Sequence, residues 1–198
     1  MIEKNKIKEG LKGYMKDFLD LLKFTVFVLI IVVPLRLFIA QPFIVNGESM
    51  LPTLENGDYL IIDEISYRLE EPMRGEVIVF RLPTNTKRFL VKRIIGLPGE
   101  TVVISGSKIV ITKTDGSHVQ LEEYYLNDDF STNGTWVLSE DEYFMMGDNR
   151  NNSSDSRSWG KLNKDLIIGK TFLRLFPFDN LGLTPGKAEP GDIEIALP

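Results

Sequence analysis

The chain of 198 residues contains no cysteine and a single histidine. Without cysteine there are no disulfides, no thiolate nucleophile and no cysteine-based metal site. The compartment stays open on that ground, because many exported proteins also lack disulfides. His118 sits in Lys113-Thr114-Asp115-Gly116-Ser117-His118, a polar turn between two short β-type runs, and reads as a surface-loop residue. With its one histidine so placed, the chain has neither a Ser-His-Asp triad nor a multi-histidine zinc site, and no metal or cofactor is expected. A concentrated positive charge is missing too. The net charge is −5, and the basic residues do not gather into an aromatic-studded stripe, so nucleic acid is not an expected partner.

What the chain does have is an ordinary folded composition, 43% hydrophobic and 26% charged, of a length that suits one domain plus an anchor or two small domains. Residues 1–23 carry six lysines against four acids. The stretch Phe24 to Leu35 has no charge, and Leu37-Phe38-Ile39-Ala40 extends it beyond Arg36. Counted from Phe18 to Ala40 it reaches the roughly 20 residues of a spanning helix, with Lys23 and Arg36 near the ends, where they can snorkel. A buried soluble helix would normally keep a polar stripe, and almost every face here is apolar. Ala40 has Phe38 before it and Pro42 after it, a poor cleavage site, so a retained anchor is expected. Lysine-rich flanks stay in the cytoplasm, which would leave the chain after about Gln41 outside a cytoplasmic membrane.

From Gln41 onward the pattern changes to short β-branched and aromatic runs: Phe43–Val45, Tyr59–Ile62, Val77–Phe80, Phe89–Ile95, Thr101–Ile104, Lys108–Thr112, Tyr143–Met146 and Thr171–Phe176. Turn pairs such as Asn56-Gly57, Pro98-Gly99 and Asp115-Gly116 separate them. The expected fold is mostly β, a transmembrane helix followed by an all-β domain over 41–182. A β-ribbon excursion is expected over about 105–136, and a loosely held tail over 183–198.

Two stretches carry candidate chemistry. In Asn46-Gly47-Glu48-Ser49-Met50-Leu51-Pro52-Thr53-Leu54, Ser49 lies between a glycine and a Met-Leu-Pro turn. Such a serine either occupies a plain polar turn or is a nucleophile held out at a bend, with backbone N–H groups near a developing oxyanion. In Phe89-Leu90-Val91-Lys92-Arg93-Ile94-Ile95, strand alternation puts Lys92 on one face with Leu90 and Ile94. It is either a sheet-edge lysine reaching water or a desolvated amine able to take a proton. Lowering its pKa from ~10.4 to ~7–8 needs about 4 kcal/mol of penalty on the charged form, which apolar burial can supply. Such a lysine would serve Ser49 as general base. The polar run Gly147 to Arg157 fails as a calcium loop: Arg150, Ser153 and Trp159 stand where a ligand, the turn glycine and the bidentate acid belong. It reads better as a hydrogen-bonded corner.

The segments Gly47 to Leu54, Gly75-Glu76-Val77-Ile78-Val79-Phe80, Val91 to Gly99 and Gly147 to Arg157 strongly resemble, in order and spacing, the bacterial type I signal peptidases, over about residues 18–180. The resemblance implies Ser49 as nucleophile and Lys92 as general base. It further implies that Ser153 hydrogen-bonds the lysine amine and that Asp155 and Arg157 form a bracing ion pair. Phe43, Val45, Leu54, Leu60, Leu90 and Val91 would line shallow pockets for small side chains at the first and third positions before the cleaved bond. The implied partners are signal-peptide-bearing preproteins and the lipid bilayer. Some family members carry a serine two places before the nucleophile; Gly47 stands there, so the Ser49 backbone N–H and a neighbouring amide would hold the oxyanion. Asn151 replaces an acid common in the family. The alternative is a membrane-tethered, non-catalytic β-domain used for binding or scaffolding.

Overall fold

The computed structural model describes residues 14–30, 32, 40–126 and 128–197. The chain divides into two units, Met1–Ala40 and Gln41–Pro198. In the first, residues 14–30 form a helix, α1. Phe18, Leu21, Phe24, Phe27 and Ile30 are all exposed along it. Among the described residues no helix is long and apolar enough to cross a membrane. Residues 31 and 33–39 of the predicted span, and the lysines before residue 14, lie outside the described residues.

The second unit holds two antiparallel sheets, and its strands form where the β-branched and aromatic runs lie. In chain order the strands of the larger sheet are β1 (Ala40–Ile44), β2 (Tyr59–Asp63), β3 (Val77–Leu82), β4 (Asn85–Gly96), β9 (Glu142–Met146), β10 (Leu162–Asn163), β11 (Ile167–Phe176) and β12 (Gly182–Leu183). Across the sheet the order is β1-β2-β11-β3-β4-β9-β10, with β12 beside β11. The continuous run Val77-Ile78-Val79-Phe80 is a strand buried on both faces. On one face Val77 and Val79 pack with Met50, Leu54, Leu60 and Ile62. On the other Ile78 and Phe80 pack with Ile94, Tyr143, Met145 and Leu162.

The smaller sheet is made of β5 (Thr101–Gly106), β6 (Lys108–Thr112), β7 (His118–Leu121), β8 (Thr132–Val137) and β13 (Glu194–Ala196), in the order β13-β7-β6-β5-β8. Val102, Ile104, Ile109, Ile111, Val119 and Leu121 close its core against Ile95, Phe144 and Met146. The predicted ribbon is therefore a five-stranded sheet that starts at Thr101 and takes its last strand from the C-terminus. His118 is exposed at the start of β7, its Nδ1 3.0 Å from the Thr112 hydroxyl.

The tail corrects the expectation of a loosely held segment. β13 pairs with β7 through Glu194↔Leu121, Ile195↔Gln120 and Ala196↔Val119. Ala188 and Ile193 are buried. Arg74 donates from Nε to Glu194 at 2.6 Å while its other nitrogens hold Glu100 and the Ile95 carbonyl. The prolines and glycines of the tail shape turns around these anchors and do not loosen it.

Candidate active site

Three segments meet at Ser49. Gly47, at φ +104, takes a left-handed conformation that glycine tolerates and other residues rarely adopt. Its N–H donates to Asn56 Oδ1 at 2.9 Å. The chain then turns through Leu51 N–H to Glu48 O (3.2 Å) and Leu54 N–H to Met50 O (3.0 Å). Met50 and Leu54 are drawn into the core, which leaves Ser49 at the half-buried crest. Among the described residues the Ser49 N–H has no hydrogen-bond partner and is free to meet an oxyanion.

Lys92 lies on β4 opposite Ile78 of β3 and is 2% exposed. Its Nζ is 2.5 Å from Ser49 Oγ and 2.9 Å from the Val91 carbonyl. Burial lowers the amine's pKa from 10.5 to about 8, against the opposing pull of Asp155 and Asp148. A neutral amine at that distance can accept the hydroxyl proton, so the arrangement fits nucleophilic catalysis.

The polar loop after β9 closes the site. Asp155 caps the short helix α2 (Ser156–Trp159) and accepts the Gly147 N–H at 3.1 Å. Arg157 donates to both Asp155 oxygens, at 2.8 and 2.7 Å, so the ion pair implied by the resemblance is formed. Asn149 N–H donates to Ser49 O, and its side-chain amide to Glu48 O, both at 3.0 Å. Ser153 reaches this corner without making the implied bond to Lys92; among the described residues its buried hydroxyl has no partner. A Cβ on Gly147 would lie 2.2 Å from that hydroxyl and 2.4 Å from Ser49 O, so the loop approaches the nucleophile only because this position is glycine.

Two central residues carry no local motif that marks them in the sequence. Arg93 and Asp148 are fully buried side chains joined by two bonds, Nε to Oδ1 at 2.8 Å and Nη2 to Oδ2 at 2.5 Å. Asp148 Oδ2 also accepts the Thr53 hydroxyl at 2.5 Å, and Arg93 Nη1 donates to the Gly75 and Gly186 carbonyls. This one pair joins the Ser49 turn, the Lys92 strand, the polar loop and the tail. A lone arginine inside the apolar run 89–95 was the available signal; its partner lies 55 residues away.

A cavity of about 90 Å³ opens beside the dyad, lined by Ser49, Lys92, Phe43, Val45, Leu60, Leu90 and Val91. Ile44, Asn46, Val79 and Phe89 complete its wall. Leu54 is not part of it: fully buried against Met50 and Val77, it belongs to the core. Among the described residues no group of three or more acidic or histidine side chains is placed to hold a metal ion.

The profile of the family described as "Signal peptidase, peptidase S26" matches residues 18–176. A probable signal peptidase I-2 of Synechocystis is 38% identical over 184 residues, covering 90% of this chain and 82% of that protein. A signal peptidase I of Leptolyngbya laminosa is 39% identical over 158 residues, 75% of this chain and 74% of that protein. Signal peptidase I P of Bacillus subtilis subsp. natto is 34% identical over 191 residues, 91% of this chain and 98% of that protein.

Proposed function

The chain belongs to the signal peptidase family, peptidase S26, and we propose that it removes signal peptides from exported preproteins with Ser49 as nucleophile and Lys92 as general base. It is a serine endopeptidase of the signal peptidase I type. The observation that carries the assignment of the two residues is the buried Lys92 amine 2.5 Å from the Ser49 hydroxyl.

The reaction follows from that contact. Lys92 takes the Ser49 proton as Oγ bonds to the scissile carbonyl carbon, and the carbonyl oxygen becomes an oxyanion facing the Ser49 N–H. The Gly47 N–H is already committed to Asn56. Collapse breaks the C–N bond, and the Lys92 ammonium returns its proton to the departing amine. Water, deprotonated by the same amine, then attacks the serine ester; the C–Oγ bond breaks, the Lys92 ammonium returns the proton to Ser49 Oγ, and the signal peptide is freed. The preprotein lies extended against Phe43–Val45 and the Lys92 strand, so main-chain hydrogen bonds contribute affinity. A cavity of about 90 Å³ is far below the roughly 300 Å³ at which drug-sized pockets begin, which favours small side chains before the cleaved bond.

In this reading residues 18–40 anchor the chain once through a cytoplasmic membrane, with the lysine-rich end inside and residues 41–198 outside. Exposed Phe24, Val26, Phe27, Val28, Leu29 and Ile30 make the second half of α1 apolar on every face, beyond the charged turns of Lys16, Asp17, Asp20 and Lys23, and this supports it. Phe172, Phe176, Phe178, Leu181 and Leu183 form an exposed apolar group on the second unit, suited to lipid headgroups and acyl chains.

The test is to incubate the purified full chain in detergent with a preprotein bearing an Ala-x-Ala site and to read the new N-terminus by mass spectrometry. Cleavage after the second alanine is expected, with none from Ser49→Ala or Lys92→Ala at equal folded concentration. Near-normal turnover by either variant refutes the dyad.

A further inference from the structure

The charged groups facing the Lys92 amine are Asp155 and Asp148, both from the polar loop. The Ser49 turn presents only a hydroxyl, and the facing strand β3 presents Ile78. Each carboxylate is chelated by an arginine, Asp155 by Arg157 and Asp148 by Arg93, and Arg150 lies within Coulombic reach of Asp148. One connection, between β7 and β8 of the smaller sheet, governs two of these guanidinium groups although it carries no residue of the dyad. The Tyr125 ring covers Arg93, with 3.8 Å from Cζ to the ring centroid. Glu123 accepts two bonds from Arg150, one of them at 2.5 Å, and also accepts the Tyr125 hydroxyl at 2.6 Å.

We propose that Tyr125 and Glu123 are positioning residues of the active site. Tyr125 keeps Arg93 pressed on Asp148, and Glu123 keeps Arg150 from moving onto the same carboxylate. Together they fix the charge that Lys92 feels and its spacing from Ser49. The smaller sheet is in this sense a working part of the peptidase. The inference rests on Lys92 acting as the base.

The two residues act with opposite sign. A cation over an aromatic face in a desolvated site is held electrostatically by the ring. Without the ring Arg93 loosens, Asp148 is less well neutralised, and the Lys92 ammonium is favoured. Without the Glu123 charge Arg150 is released toward Asp148, and the ammonium is disfavoured. A structural defect alone would lower activity without moving a titration in opposite directions.

The experiment measures kcat and KM against pH for cleavage of a preprotein by the full chain in detergent. Tyr125→Leu is expected to move the acid limb up by about 0.5 pH unit, which cuts the neutral amine below the midpoint roughly threefold, with KM within about twofold of wild type. Tyr125→Phe keeps the ring and is expected to keep the wild-type limb. Glu123→Gln, nearly isosteric, is expected to move the limb down by about 0.5 unit. The proposal is overturned if both limbs stay in place, if Tyr125→Leu and Glu123→Gln shift the same way, or if Tyr125→Phe behaves as Tyr125→Leu. Should Tyr125→Leu fail to fold, the sign of the Glu123→Gln shift decides. A wild type that lacks the limb, with Lys92→Ala still active, removes the dyad itself. A wild-type limb that neither variant moves removes only the roles of Tyr125 and Glu123.

Discussion

Replacing Lys92 by methionine should abolish cleavage and make the folded chain more stable. The lysine is 2% exposed, and burial lowers its pKa from 10.5 to about 8. At 1.36 kcal/mol per pKa unit, the folded state disfavours the ammonium by roughly 3 kcal/mol. Methionine of similar length removes that cost but gives up the bonds to Ser49 Oγ and the Val91 carbonyl, a loss of about 2 kcal/mol. The expected gain at pH 7 is therefore on the order of 1 kcal/mol, or about 2–4 °C in Tm. Its pH dependence follows from proton binding. Between pH 8 and 10.5 the unfolded lysine holds a proton that the folded one has lost, so wild-type stability from this group rises with pH across that window. The advantage of Lys92→Met is thus full below pH 8 and gone above 10.5. Urea unfolding of both proteins in the same detergent, followed by tryptophan fluorescence, reads it out. Trp136 and Trp159 pack on Phe144 and Phe80 and report on both sheets. A variant less stable than wild type at pH 7, or a difference that does not change with pH, refutes the reasoning.

Asp148→Asn leaves the buried Arg93 without its carboxylate and should destabilise the chain by about 3 kcal/mol or more, measured by the same unfolding. Deleting residues 184–198 removes β13, exposes the ground covered by Ala188 and Ile193, and strips one carboxylate from Arg74. Aggregation on size exclusion and a lower melting temperature are expected; an unchanged melt with full activity would contradict a tied-down tail. The double change Phe176→Ser and Phe178→Ser removes two side chains that are 52% and 77% exposed, and should weaken binding to phospholipid vesicles several-fold while leaving hydrolysis of a short soluble peptide unchanged. Equal vesicle binding by the variant would remove the case for lipid contact at these phenylalanines.

Local pattern carried the fold a long way. Each run from Tyr59–Ile62 to Thr171–Phe176 makes a strand or most of one, and Phe43–Val45 supplies the end of β1, because alternating or continuous apolar runs between turn residues have few other ways to be buried. Ser49 and Lys92 were legible one at a time, as a serine at a bend and a lysine among aliphatics. Their 2.5 Å contact spans 43 residues and lies beyond any local rule. The same limit explains what was missed. Arg93 finds Asp148 across 55 residues, and Glu194 finds Arg74 across 120. The tail looked loose because proline and glycine were its visible feature, whereas Ile193 and the pairing of β13 with β7 hold it. The motif position of Leu54 suggests a pocket residue, but the turn closed by its N–H to Met50 O points it into the core.

The most direct measurement is the titration of the Lys92 amine itself, by NMR of the full chain carrying lysine labelled at Cε and Nζ, with the Lys92 signal identified by its absence from Lys92→Met. A midpoint near 8, well below the other lysines, is the result expected of an amine held out of water against Ser49. A midpoint at the ordinary 10.5 would mean that this amine remains charged at neutral pH and does not serve as the base.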